Sequence, residues 1–86
     1  YITREQMATI LHRYSSYKGY DITASNNLAA YTDAGEVSAW ALPAMKWAVA
    51  EGLIVGVTTT SLDPTANASR ATVATILMRF VENITK

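Results

Sequence analysis

Apolar residues recur at helical spacing in three stretches of the chain. Met7, Ile10, Leu11 and Tyr14 stand at i, i+3, i+4 and i+7, and Val73, Ile76, Leu77 and Phe80 repeat that spacing near the other end. Each set predicts an amphipathic helix with one apolar stripe. Between them, Trp40, Ala44, Trp47 and Ala48 mark a third helix. Polar residues supply the boundaries. Thr3 with Gln6 three residues later is a capping box, in which each side chain satisfies the other's backbone N–H. Ser69 with Thr72 is the weaker equivalent at the last helix. Lys18-Gly19 reads as a C-cap with a cation at the negative end of the helix dipole, and Gly52 stops the middle helix. The expected helices therefore lie near residues 3–18, 38–52 and 69–83. Pro43 complicates the second: either the helix proper begins near Leu42, or the turn at 38–41 is offset by a kink.

The connections are long and polar. Residues 19–37 are rich in Asn, Ser, Thr and Asp, and residues 57–67 form a Thr-rich stretch that contains the turn signal Asp63-Pro64. Loops of this length in a small domain more often carry function than not. The expected fold class is all-α, with helix-loop-helix units and long ordered loops. No sheet is expected beyond a strand pair of a few residues.

The stripes at the two ends are copies of each other. Residues 2–14 align without gaps on residues 68–80, with Arg4 falling on Arg70, the Ala-Thr-Ile-Leu run at 8–11 on that at 74–77, and Arg13 on Arg79. An internal copy implies a repeat architecture in which neighbouring units complete one another's cores.

Composition narrows the function. Half of the 86 residues are apolar, so the chain is not disordered, yet it suffices for only one small domain or two short repeats. Folding at this size buries roughly 60 to 65% of the unfolded surface, which leaves room for a partner chain to add stability. Seven Lys and Arg balance seven Asp and Glu, with no cluster of either sign. A helix-turn-helix reading of the first helix is disfavoured on that ground, because a duplex binder presents a basic face. Nucleic acid is not an expected partner, nor is an anionic membrane. The longest apolar windows fall far short of the roughly 20 residues that cross a bilayer. With no Cys, neither a disulfide nor a thiolate zinc site is available. The chain opens without Met, in Tyr1-Ile2-Thr3-Arg4-Glu5, which looks like the interior of a larger polypeptide.

Several of these residues form an ordered set. Tyr31-Thr32-Asp33, Trp40-Ala41, Ala44, Trp47-Ala48, Gly52-Leu53-Ile54-Val55-Gly56, Leu62-Asp63-Pro64 and Ser69-Arg70-Ala71, closed by the run from Ala74 to Phe80, together resemble one full S-layer homology repeat. Ile2-Thr3-Arg4-Glu5-Gln6 is similar to the start of the second half of such a repeat. On this resemblance residues 1–25 are the second half of one repeat and residues 26–86 a complete one, together a fragment of a pseudo-threefold, three-repeat bundle.

The resemblance implies a non-catalytic module that anchors a secreted bacterial surface protein to the cell wall or S-layer. Its grooves between adjacent repeats would bind secondary cell-wall polysaccharide, with a pyruvylated amino sugar as the implied ligand. Arg4 and Arg70 would pair with the anionic saccharide at the starts of their helices, where a guanidinium fork and free helix N–H groups both suit a carboxylate. Asp33 and Trp40 would line the same groove, one for sugar hydroxyls and one for ring stacking. Gly52 and Gly56 would allow backbone to turn or approach closely. The motif at Ser69-Arg70-Ala71-Thr72 lacks the usual Glu, and the one at Arg4 has Glu5-Gln6 in place of Ala-Glu.

The remaining residues favour plainer roles. Periodicity places Trp47 in the core and leaves Trp40 open between core and site. His12, without Cys or acidic residues at ligand spacing, reads as a surface or subunit-contact side chain, so no metal or other cofactor is implied. No nucleophile elbow, phosphate loop or paired-carboxylate motif frames an active site, and the chain is not expected to be an enzyme. The Met7, Ile10, Leu11 and Tyr14 stripe is expected to seek cover in a second copy of the chain, which makes a homo-oligomer the expected state. An oligomerisation unit without a working sugar site is the alternative function. Both motif arginines are expected to matter little to folding, about 0.5 kcal/mol or less each.

Overall fold

A computed structural model describes residues 2–29, 31–54 and 61–84. It contains three α-helices, α1 (Arg4–Lys18), α2 (Leu42–Ala50) and α3 (Arg70–Asn83), with short 3₁₀ turns at Ala34–Glu36 and Ala39–Ala41. The fold is all-α, as the periodicity requires. No longer strand is formed among the described residues, where an isolated antiparallel bridge joins Thr3 and Asn67.

Local chemistry accounts for the helix ends. Thr3 Oγ1 accepts from Gln6 N–H at 3.2 Å while Gln6 Oε1 accepts from Thr3 N–H at 2.8 Å, completing the capping box. Gly19 closes α1 in the left-handed region at φ 78°. Ser69 Oγ accepts from Thr72 N–H at the start of α3. The middle helix is shorter than the expected 38–52. Its ring-closed Pro43 occupies the second helical position, has no N–H to give and would crowd the preceding turn of an α-helix. Residues 39–41 therefore wind as a separate 3₁₀ turn, with Ala41 N–H on Ser38 O at 2.9 Å.

The core lies between α1 and α2. Ala8 on α1 and Ala44 and Ala48 on α2 are buried, and these small side chains let the two helices approach while Met7, Leu11, Met45 and Trp47 fill the space around them. Leu28, Leu53, Ile54 and Leu62 reach the same core from the loops. Leu28 adopts φ 62°, unusual for a branched side chain. Asn26 Oδ1 accepts from its N–H at 2.7 Å, and Asn26 N–H is itself tied to Lys46 O. α3 joins through Ile76 and Phe80, with Phe80 edge-on to Tyr14 at 6.0 Å and Asn83 Nδ2 donating to Glu51 O at 3.0 Å.

The apolar stripes are covered only in part. Met7 and Leu11 are buried within the chain, but Ile10 and Tyr14 from the same set are exposed, as is Leu77 on α3. His12 is half-buried against the edge of Trp47, with ring centroids 5.4 Å apart, rather than simply surface-borne. Trp47 is core. Trp40, in the 3₁₀ turn before α2, is 58% exposed and is not.

Candidate anion-binding site

The loop after residue 60 returns to the start of α1 and is fastened there by backbone and side chain. Glu5 N–H donates to Pro64 O, Arg4 N–H to Ala66 O and Ala68 N–H to Ile2 O, at 2.8 to 3.0 Å. The bonds from Arg4 and Glu5 give the first N–H groups of α1, which have no partner inside the helix, a protein acceptor.

Two charged side chains grip the backbone of Leu62, one at its N–H and one at its C=O. Asp33 accepts from Leu62 N–H at 2.9 Å, from Asp63 N–H at 2.8 Å and from Ser61 Oγ at 3.2 Å. Arg4 Nε donates to Leu62 O at 2.8 Å. The bond from Leu62 N–H leads in holding the Asp33 carboxyl below the usual carboxylate range, outweighing the desolvation that acts against it. Burial lowers the Arg4 pKa, while the nearby charges of Asp63 and Asp33 oppose that shift. Arg4 is only 8% exposed. Its neighbour Glu5 is also buried, its carboxylate accepting from Ser38 N–H and Ser38 Oγ at 2.9 and 2.7 Å.

Beside this clamp lies a pocket of about 240 Å³, lined by Arg4, by Leu53 and Ile54 from the turn after α2, and by Ala71, Thr72, Thr75, Ile76 and Arg79 of α3. Among the described residues its lining contains two guanidinium groups and two hydroxyls and no carboxylate. A second recess, of about 400 Å³, lies on the far side of α1 and is lined by Ile2, Gln6, Thr9, Ile10, Arg13 and Trp40. A third, about 280 Å³, is formed by His12, residues 22–25 and the start of α2 with Lys46. Among the described residues no group of His, Asp and Glu is placed to hold a metal ion, and no helix is long and apolar enough to cross a membrane.

The six residues singled out from sequence do not converge on one groove. Arg4 lines the first pocket. Asp33 stands behind it, with its carboxylate engaged by the Ser61 to Asp63 backbone and hydroxyl. Trp40 lines the second recess, across α1. Arg70 is exposed at the first position of α3 and lines neither. Gly52 ends α2 at φ 75°, one residue before the pocket wall. Gly56 lies outside the described residues. Arg79 and Thr75 were missed, although the internal copy held the signal, since Arg79 and Thr75 repeat Arg13 and Thr9.

Comparison with known families places residues 30–74 on the S-layer homology domain. No curated protein and no solved structure matches the chain.

Proposed function

The chain belongs to the S-layer homology domain family, whose members are cell-surface anchoring modules, and from that premise we propose that it is a non-catalytic unit holding a secreted surface protein to the bacterial cell wall by binding secondary cell-wall polysaccharide. The observation that carries the reading is the pocket beside Arg4, where cationic and hydroxyl groups meet with no carboxylate among the described lining residues. Such a lining suits an anionic, hydroxylated ligand such as a pyruvylated amino sugar. Arg4 supplies a pocket wall. Arg70, at the matching position of the second copy, serves a groove that an adjacent repeat must complete, and Trp40 offers a stacking face on the opposite side of α1. Residues 1–25 act as the second half of one repeat and 26–86 as the next.

Purified native bacterial wall, compared with the same wall stripped of its secondary polymer, tests this. Retention by the first and not by the second is expected, and equal retention by both would overturn the reading. A second reading is favoured by the exposed Leu77, Met78 and Val81 on α3: packing against an adjacent repeat or a second copy is then the main task, with no saccharide bound.

A further inference from the structure

The recess at His12 has three consecutive segments of chain for walls: α1, residues 22–25 of the linker that follows it, and the start of α2. Among the described residues it shares no lining side chain with the pocket beside Arg4.

The linker is pinned on either side of the recess. Asp21 Oδ1 accepts from Thr23 N–H at 2.9 Å and from Thr23 Oγ1 at 2.6 Å. Asn26 N–H donates to Lys46 O at 3.0 Å, which ties the far end of the linker to α2. The recess is therefore built before any ligand arrives, and filling it costs little ordering of the chain.

Its chemistry is basic. His12 and Lys46 reach it from two helices packed on each other, and neither side chain is in an ion pair or a hydrogen bond among the described residues. No carboxylate lines it among those residues, and Asp21, the acidic residue nearest in sequence, is occupied by Thr23. The repeat itself does not call for a basic ring, since the copy on α3 carries Met78 at the position of His12.

Lys46 supplies a point charge with three donors, Ser25 a hydroxyl and His12 a ring N–H. That set suits the tetrahedral oxygens of a phosphate, whereas the guanidinium forks beside Arg4 suit a planar carboxylate. Thr23, with its proton given to Asp21, keeps lone pairs that accept from a hydroxyl. Ile22, Leu42 and Pro43 add an apolar wall for the body of the molecule that bears the phosphate. We propose that this recess is a second binding site, for a phosphate group carried on a sugar.

His12 is the chain's single histidine, so its ring C–H signals in NMR report on the recess directly. The whole chain is titrated at constant pH and ionic strength with glucosyl phosphate, inorganic phosphate and glucose. Saturable movement with both phosphates, tighter for the ester, and none with glucose is expected. Lys46→Gln should weaken ester binding by about tenfold or more, while Arg79→Gln, in the other pocket, should change it less than about twofold. His12→Met keeps an apolar contact with Trp47 and guards against a variant that fails to fold. Followed through the backbone amide signals of residues 22–25, it should weaken binding severalfold with the melting temperature little changed. Inorganic phosphate binding more tightly than the ester would overturn the assignment to a sugar-borne group. Ring signals that stay fixed, equal movement with glucose, or an affinity unchanged by Lys46→Gln would overturn the site itself.

Discussion

Leu62 is held at both its N–H and its C=O, so the shape of its loop depends on the charge state of the residue that accepts from its N–H. Asp33 keeps its carboxyl below the ordinary range through that bond first, then through Asp63 N–H and Ser61 Oγ. The folded chain therefore binds this proton less tightly than the unfolded chain does. The contribution is complete above about pH 4 and is lost as pH falls below it. Thermal melts between pH 6 and pH 3 should show the parent losing stability more steeply than Asp33→Asn. Burial also lowers the His12 pKa, and the sign is the same in a higher window. The neutral ring favours the fold, so stability present above about pH 6.5 declines as pH drops below that value. Arg4 separates from Arg70 on the same physical grounds. Removing its guanidinium leaves Leu62 O without its buried donor, so Arg4→Ala should cost about 1–3 kcal/mol in urea denaturation, against less than about 0.5 kcal/mol for the exposed Arg70→Ala. This reverses the sequence expectation that both arginines are marginal to the fold.

At the scale of elements, Gly52 tests how α2 hands over to the loop and to α3. Its φ of 75° is unfavourable for any side chain, yet among the described residues a Cβ there would meet only Asn83 Nδ2 at an ordinary 3.7 Å. The penalty for Gly52→Ala is therefore conformational, about 1 kcal/mol, while Gly35→Ala, with open space around it and an ordinary φ, should be close to neutral in the same urea titration. Such ends were legible in the sequence. Thr3 with Gln6, Ser69 with Thr72, and Gly19 each act within a few residues of chain, and each stands where local chemistry placed it. The start of α2 was left open between two geometries, because the residues show that Pro43 interrupts a helix but not how the preceding turn rewinds. The site was less legible. Arg4 and Arg70 occupy matching positions of the two copies, and the loop folded back across α1 buries one and leaves the other in solvent. Trp40 and Trp47 share a helical period, but the 3₁₀ turn at Ala39–Ala41 breaks the phase that would have put them on one face.

At the scale of the molecule, the two copies have opposite faces covered. In α1 the residues Arg4, Glu5, Ala8, Leu11 and Ser15 are buried, while Ile10 and Tyr14 are exposed. In α3 the matching positions are reversed: Arg70, Ala71, Ala74, Leu77 and Val81 are exposed, while Ile76 and Phe80 are buried. The face that α2 and its loops cover on α1 is thus open on α3, and it is more apolar there, since Ala71 replaces Glu5, Met78 replaces His12 and Val81 replaces Ser15. Each α3 therefore leaves Leu77, Met78 and Val81 in water, beyond the isolated apolar side chains that a surface normally tolerates. The chain should self-associate, and α3, rather than the stripe on α1 that periodicity pointed to, should dominate the contact, because Met7 and Leu11 of that stripe are already buried. Sedimentation velocity over a range of concentrations should show a mass above 9.3 kDa that rises with concentration. The double change Leu77→Lys with Met78→Lys should return it to a monomer without lowering the melting temperature of the dilute chain, because both side chains are already exposed. Ile10→Lys should have the weaker effect on association. A monomer at every concentration, or loss of association with Ile10→Lys and not with the α3 pair, would show that the open face of α3 is not what drives assembly.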